Sequence, residues 1–283
     1  MPEKYPDFTF ERAGGWRYYR HSLVQPLNTA TTPSNTESPI IRHLSQQKTV
    51  TSSRYSHVCQ AVLNNGGERL AVYFKGMDFK SPRDAIKQQL SKSRAIKAFE
   101  AERLLQSLGF GAPSTLLTGW RQRLLIKDHF FTLSAALIGY DDLYTTVKQI
   151  GAHSNSQKRA FIQQLASTIA RLHKENIGHG DLRAGNVMCR HNEDWQFSFL
   201  DNERTRQYKK LPDSIRIKNL VQLNLLLSPA ISTTDRQRFF YHYSILCYGR
   251  TNKDLLSRVV RKTRKRLKIM LDKKKIEVDD LWL

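Results

Sequence analysis

Residues 179–189 read HGDLRAGNVMC, so a histidine, an aspartate and an asparagine fall within eight positions just before the chain turns apolar. A further aspartate, Asp201, closes the next apolar run, FSFLD, and upstream the run LAVYFK ends on Lys75. Such residues suit phosphoryl transfer, in which a protein does little covalent work. It places a carboxylate beside the acceptor hydroxyl, oxygen ligands on Mg2+ and a lysine on the nucleotide phosphates. The spacing His179-x-Asp181-Leu182-x-x-x-Asn186 is that of a kinase catalytic loop, with Asp181 as base and Asn186 as a metal ligand. Asp201 stands where the second Mg2+-binding aspartate belongs, and Lys75 matches the strand lysine that reaches the α- and β-phosphates. His179 occupies a scaffold place in the motif, holding the loop rather than moving a proton.

Taken singly, each residue has an ordinary explanation. An Asp-Asn pair in a turn is most often a cap, and a lysine at a strand end usually reaches to water. The motif alone arises by chance in roughly one chain of this length in a hundred. Its context decides: a strand lysine, a helical glutamate, a helix that delivers the loop, a hairpin and an aspartate follow one another in kinase order.

The elements that must position these residues are legible in outline. Residues 1–45 read as an N-terminal arm and flexible connector, with QPLNTATTPSNTESPI lacking any apolar period. Over 46–130 a nucleotide-clamping lobe is expected. HVCQAVLN and RLAVYFK form a hairpin about the turn NNGG; one main helix over 82–108 starts at Ser81-Pro82 and stops at Gly109. The strands STLLTG and RLLIKDHF then flank the turn WRQ. That helix offers Glu100 and Glu102 to orient Lys75. Glu100 shares a stripe with Leu104 and Leu108 and is preferred, whereas Glu102 is followed by Gln106 on a solvent stripe. Residues 131–283 read as a mainly helical lobe. Phe161, Ile162, Leu165, Ile169 and Leu172 mark the helix that leads into the loop, NVMCR and FSFLD form a small hairpin, and the rest is helical. The fold expected is α+β, two-lobed and protein-kinase-like, with a small antiparallel-sheet N-lobe and a mainly helical C-lobe.

Composition narrows the partners. Lys and Arg number 46 against 25 Asp and Glu, a formal net charge of +21, which attracts polyanions. Three cysteines, Cys59, Cys189 and Cys247, without CxxC or Cys/His spacing, indicate neither a disulfide framework nor a zinc site. The start MPEKYPDFTFERAGGW lacks the apolar core of a signal peptide, and no run approaches the roughly 18 apolar residues of a membrane span. Any membrane contact is therefore expected to be peripheral. In KDLLSRVVRKTRKRLKIMLDKKK, residues Leu256, Val259, Val260, Thr263, Leu267 and Met270 fall near one helical face and basic residues fill the rest, a pattern suited to an anionic membrane surface. The same pattern also fits a lobe helix that packs its apolar face and merely solvates its charges.

The segments LAVYFK, FEAERLLQSLGFGAP, RLHKENIGHGDLRAGNVMC, FSFLDNERTR and IRIKNLVQLNLLL together resemble the lipopolysaccharide core kinases, the Kdo and heptose kinases of Gram-negative bacteria. They span roughly 55–227. The resemblance implies ATP-dependent, Mg2+-assisted phosphorylation of a sugar hydroxyl of the inner core, at the cytoplasmic face of the inner membrane. By the matching positions, Lys75 and Glu100 clamp phosphate, Asp181 is the base, and Asn186 and Asp201 hold metal. Arg183 takes the place where many kinases keep a cation near the transferring phosphoryl group. No G-x-G-x-x-G precedes Lys75, so Ser52 and Ser53 in TVTSSRYSHV are the candidates to cover the phosphates. Asp201 is followed by Asn202-Glu203 rather than Phe-Gly and no A-P-E follows, which argues against a regulated protein kinase.

The competing functions are another small-molecule kinase of this fold, of the aminoglycoside or choline type, and a non-catalytic basic nucleic-acid-binding or scaffold protein. A +21 chain argues against the first, since an acidic cleft serves cationic acceptors. The occupied catalytic positions argue against the second. Nucleic acid is not expected as a partner, and no stable protein partner is inferred.

Overall fold

A computed structural model describes residues 5–27, 38, 40–50, 55–79, 81–124, 126–151 and 154–273. The chain divides into two compact units. The first comprises residues up to Leu105 together with Pro113–Ile138, and the second comprises Gln106–Ala112 and Gly139 onward.

The first unit is built on one antiparallel sheet of seven strands in the order β1-β2-β6-β7-β5-β4-β3. These are β1 (Phe8–Ala13), β2 (Trp16–His21), β3 (Leu44–Val50), β4 (Ser56–Asn65), β5 (Glu68–Met77), β6 (Thr115–Arg123) and β7 (Ile126–Ala135). The β4–β5 hairpin turns where expected, at Gly66 and Gly67, both with positive φ as a tight hairpin needs.

Phe8–His21, expected in an arm, instead supplies β1 and β2. Trp16 and Tyr18 are buried in the apolar core beneath the sheet with Leu63, Val72, Leu117 and Leu133, so this segment is structural. The single helix expected over 82–108 is two: α1 (Pro82–Leu90) and α2 (Arg94–Ser107). Ser81 Oγ accepts from Asp84 N–H to start the first, and the buried Ser93 Oγ accepts from Ile96 N–H to start the second. Two such caps in one run break it, because each serine offers the backbone a competing partner. The β6–β7 turn also lies later than expected: Trp120, Arg121 and Gln122 are within β6, and the strand ends at Arg123.

In the second unit, β8 (Asp141–Asp142) leads into α3 (Leu143–Ile150), and α4 (Asn155–Lys174) carries the expected apolar stripe into β9 (Ile177–Gly178). The hairpin β10 (Val187–His191) and β11 (Trp195–Phe199) follows, then β12 (Arg206–Gln207), which pairs with β9. The chain continues through α5 (Asp213–Asn224), α6 (Thr233–Tyr248) and α7 (Lys253–Asp272).

Helix α7 bears out the second reading of the basic C-terminal helix, that of a lobe helix packing its apolar face. Leu255, Val259, Thr263 and Leu267 are buried, with Thr263 Oγ1 accepting from Asn224 Nδ2 of α5 at 3.1 Å. The core of its apolar stripe is thus spent on packing, with Leu256, Val260 and Met270 half-buried. The exposed face still carries Arg261, Lys262, Arg264, Lys265, Arg266 and Lys268. Among the described residues no helix is long and apolar enough to cross a membrane.

Candidate active site

The loop 179–186 is held from below by its own histidine. Asp181 N–H donates to His179 Nδ1 at 3.1 Å, so the ring proton sits on Nε2, which donates to Leu200 O at 3.0 Å. The ring is fully buried, and that burial pushes its pKa down to about 4, so it is neutral at pH 7. One uncharged imidazole thus ties the backbone beside the expected base to the residue before Asp201.

Asn186 closes a second link. Its Nδ2 donates to Asp181 O at 2.8 Å, while its own carbonyl accepts from Leu200 N–H at 2.9 Å. Because the amide nitrogen is committed, Oδ1 is the atom left to act as a ligand. Asp201 has a left-handed backbone (φ 58°, ψ 46°), unusual outside glycine and best tolerated by Asp and Asn, and turns the chain sharply after β11. Asp181, Asn186 and Asp201 are therefore gathered by three hydrogen bonds that run through Leu200 and His179. The charges of Asp181 and Asp201 both act on His179 and on Arg183.

The Asp181 carboxylate is gripped on two sides. Arg183 forms a forked pair with it, Nε to Oδ1 at 2.8 Å and Nη2 to Oδ2 at 2.6 Å, and this bond raises the arginine's pKa further. Its side chain remains 62% exposed. From α5, Gln222 Nε2 donates to Asp181 Oδ1 at 2.7 Å and Gln222 Oε1 accepts from Leu182 N–H at 3.1 Å.

Two more α5 residues hold the loop. Lys218 Nζ donates to Gly180 O at 2.6 Å; Asn219, fully buried, accepts from His179 N–H at 3.1 Å and donates back to His179 O. Asn219 Oδ1 also accepts from His173 Nε2 at 3.3 Å, His173 Nδ1 accepts from the Tyr243 hydroxyl at 2.7 Å, and that hydroxyl accepts from Arg216 at 2.8 Å. Burial above all pushes His173 down to about 3 and keeps this relay neutral at the histidine. The sequence reading assigned no role to Lys218, Asn219 or Gln222, although IRIKNLVQLNLLL was among the segments that carried the family resemblance.

Gly180 has no substitute. A Cβ there would collide with Arg204 Cβ and lie 2.8 Å from the Arg204 carbonyl group, so the loop and the segment after Asp201 touch backbone to backbone.

In the sheet unit, Lys75 lies on β5 two residues before Met77, and Met77 packs with Ala95 of α2 and Phe130. By strand alternation Lys75 is on the α2 side, beside Val58 and Thr132 in register. The face of α2 turned to the sheet carries Ala95, Phe99 and Glu102, not Glu100. Glu102 is 8% exposed and accepts from Thr115 Oγ1. Glu100 accepts from Tyr5 Oη at 2.5 Å and from Lys92 Nζ at 2.6 and 2.7 Å. The solvent stripe expected for Glu102 is thus overturned: the buried row of α2 is Ala95, Phe99, Glu102 and Leu105, while Leu104 and Leu108, the stripe shared with Glu100, are only half-buried. Ser52 and Ser53 lie outside the described residues.

The donors suit a hard divalent cation. Asn186 and Asp201 offer only oxygen, and no group of three His, Cys, Asp or Glu forms a self-sufficient cage among the described residues. Such a pair fits an ion that completes its shell with phosphate oxygens and water, as Mg2+ does.

An antiparallel-sheet unit, together with a helical unit that carries the H-x-D-x-x-x-x-N loop and its trailing aspartate, defines a protein-kinase-like phosphotransferase fold. The model of the lipopolysaccharide kinase (Kdo/WaaP) family matches residues 37–243, and the chain belongs to that family. No match was found among curated proteins. A solved structure of WaaP in complex with acyl carrier protein is similar with a TM-score of 0.60 at 19% identity, covering 86% of this chain and 97% of that one. At that identity the likeness carries the fold alone.

Proposed function

We propose that the protein transfers the γ-phosphoryl group of ATP to a sugar hydroxyl, on Kdo or heptose, of the lipopolysaccharide inner core. The observation that carries this reading is the Asp181–Asn186–Asp201 network in a chain of the Kdo/WaaP family. Asp181 accepts the proton of the acceptor hydroxyl. Asn186 Oδ1 and Asp201 hold Mg2+, which when bound neutralises charge on the phosphates. Lys75 binds the α- and β-phosphates. We assign its orienting carboxylate to Glu102, in place of Glu100, because Glu102 is on the buried, sheet-facing row of α2. Arg183, paired with Asp181 yet 62% exposed, turns its guanidinium to the transferring group.

A lipid-linked acceptor and a +21 chain together support a peripheral position on the cytoplasmic side of the bacterial inner membrane. The test uses γ-labelled ATP, Mg2+ and Kdo-lipid A or its heptosylated form, with Asp181→Ala beside the wild type. Label in lipid for the wild type only is the expected result. Label in neither, with salt-sensitive nucleic-acid binding, would establish the scaffold reading instead.

A second reading concerns partners. The structural neighbour is held with acyl carrier protein, and a strongly basic chain suits an acidic protein, so the expectation of no protein partner is withdrawn. Co-elution of this chain with acyl carrier protein at low salt, lost at high salt, is the expected outcome.

A further inference from the structure

The sheet unit exposes four large apolar side chains where its α1 end meets its β6–β7 turn. Ile86 and Leu90 are 63% and 85% exposed on one face of α1, and Leu124 and Ile126 are 94% and 60% exposed at the turn. The two pairs are joined by hydrogen bonds. Gln89 Nε2 donates to Lys127 O at 2.7 Å and Lys127 N–H donates to Gln89 Oε1 at 2.8 Å, so a side chain of α1 continues the ladder of β7. Lys127 Nζ then donates to the carbonyls of Gln88, Gln89 and Ser91, capping the end of α1. Leu90 and Ile126 are each next to a residue of this clasp.

Leucine is an unfavourable choice for the turn at position 124. Leu124 has φ 51°, a left-handed backbone that a bulky residue rarely adopts and that hairpin turns give to Gly or Asn. Its side chain also makes no use of the strain, since it is almost wholly in solvent. The charges around the patch favour one kind of partner. Arg83, Lys87 and Arg123 are exposed at its margin; Asp84 is paired with Arg94, and Asp128 with the buried Arg121 at 2.6 Å and more loosely with Arg123 at 4.0 Å.

We propose that Ile86, Leu90, Leu124 and Ile126 form an insertion patch that enters an anionic membrane surface, with Arg83, Lys87 and Arg123 on the lipid headgroups. Apolar side chains within a basic rim are what an interfacial anchor requires. This proposal rests on the peripheral-membrane part of the reading above and moves the apolar contact from α7, whose stripe is buried at its core, to the sheet unit. The basic face of α7 adds attraction without insertion.

The test is co-sedimentation of the full chain with vesicles of phosphatidylcholine containing about a quarter phosphatidylglycerol, beside pure phosphatidylcholine. Leu90→Ser combined with Leu124→Asn is expected to lower partition into anionic vesicles at least about tenfold, the loss of two buried leucine contacts. Because Asn relieves the left-handed strain, the melting temperature of Leu124→Asn alone should hold or rise while its binding falls, a combination that a structural role would not give. Arg261→Glu with Lys265→Glu on α7 should weaken binding less and make it less salt-dependent. Wild-type binding by both leucine variants overturns the proposal. So does an absence of vesicle binding with capture of an acidic protein in its place. Phosphoryl transfer to detergent-dispersed acceptor separates the two readings. A chain that transfers label but ignores vesicles loses the patch and keeps the kinase, and one that binds vesicles but transfers nothing does the reverse.

Discussion

Gln222 offers the sharpest test of whether the loop's geometry is the machinery. Its carboxamide spans Leu182 N–H and Asp181 Oδ1, at 3.1 and 2.7 Å. Gln222→Leu removes both bonds. Leu182 is fully buried, so its N–H loses its partner at a cost of about 1–3 kcal/mol, and the carboxylate loses a bond worth about 1.5–3 kcal/mol. The first loss shows in melting temperature. The second, as misplacement of the proposed base, shows in kcat, which should fall roughly 10- to 100-fold with KM for ATP little changed. Gln222→Glu keeps the shape and the bond to Leu182 but sets a second carboxylate against Asp181. Two charges about 3 Å apart at an effective dielectric near 20 repel by about 5 kcal/mol, so the pair takes up a proton. That proton must leave before Asp181 can act as base. Activity is therefore lost as pH falls, and the acid limb of kcat moves at least about one pH unit upward. The assay is kcat and KM across pH with labelled ATP and lipid acceptor, with melting curves in parallel. A Gln222→Glu profile that superimposes on the wild type, or a Gln222→Leu enzyme whose rate is normal once folded protein is counted, refutes the positioning role.

Glu102→Gln should cost at least about tenfold in kcat/KM for ATP, whereas Glu100→Gln, which loses a partly exposed pair with Lys92, should stay within about threefold and lower the melting temperature slightly. The reverse ranking would return the clamp to Glu100. Gly180→Ala forces Arg204 away and should destabilise by about 1–3 kcal/mol while abolishing transfer, read by calorimetry and by label in lipid. His173 and His179 have folded pKa values near 3 and 4, depressed from 6.5 by burial. The unfolded chain therefore binds more protons between those values and 6.5. Stability is fully present above 6.5 and is lost by a few kcal/mol as pH falls through that window. Chemical denaturation at pH 7 and pH 5 should show that loss, and His173→Gln should flatten it.

The alternating apolar patterns, the Asn64–Gly67 turn and the Gly109 stop were readable because each is a local rule enforced by one or two residues. The α2 face was not. Leu104 and Leu108 put Glu100 on an apolar stripe, but both are only half-buried, and packing of Ala95, Phe99 and Leu105 selects Glu102 instead. The two caps, Ser81-Pro82 and Ser93, were both in the sequence, and the second was hidden in a helical composition. The strands at Phe8–His21 were hidden for another reason. A pair of edge strands next to a Thr/Ser-rich connector has the composition of an arm, and only the register of β2 on β6 reveals Trp16 and Tyr18 as core.

The loop itself was legible, but its supports were not, and the reason is general. Asp181, Asn186 and Asp201 advertise themselves through spacing along the chain, whereas Asn219, 0% exposed, announces itself only by violating amphipathic order. On α5 the polar Lys218, Asn219 and Gln222 occupy successive turns beside the buried Ile217, Leu220 and Val221, so periodicity alone assigns them to solvent. Asn219 is buried, Gln222 half-buried and Lys218 exposed, yet all three reach the loop, which presents Gly180 O, His179 N–H and O, and Leu182 N–H, polar backbone groups with no strand to pair with. Leaving these groups without partners would cost more than burying the Asn219 carboxamide and partly burying that of Gln222. Polar residues that break a helix's pattern near a catalytic loop thus point to the backbone groups they serve. In this chain those groups lie within two residues of Asp181, which is why a change at Gln222 should register in the rate as well as in the stability.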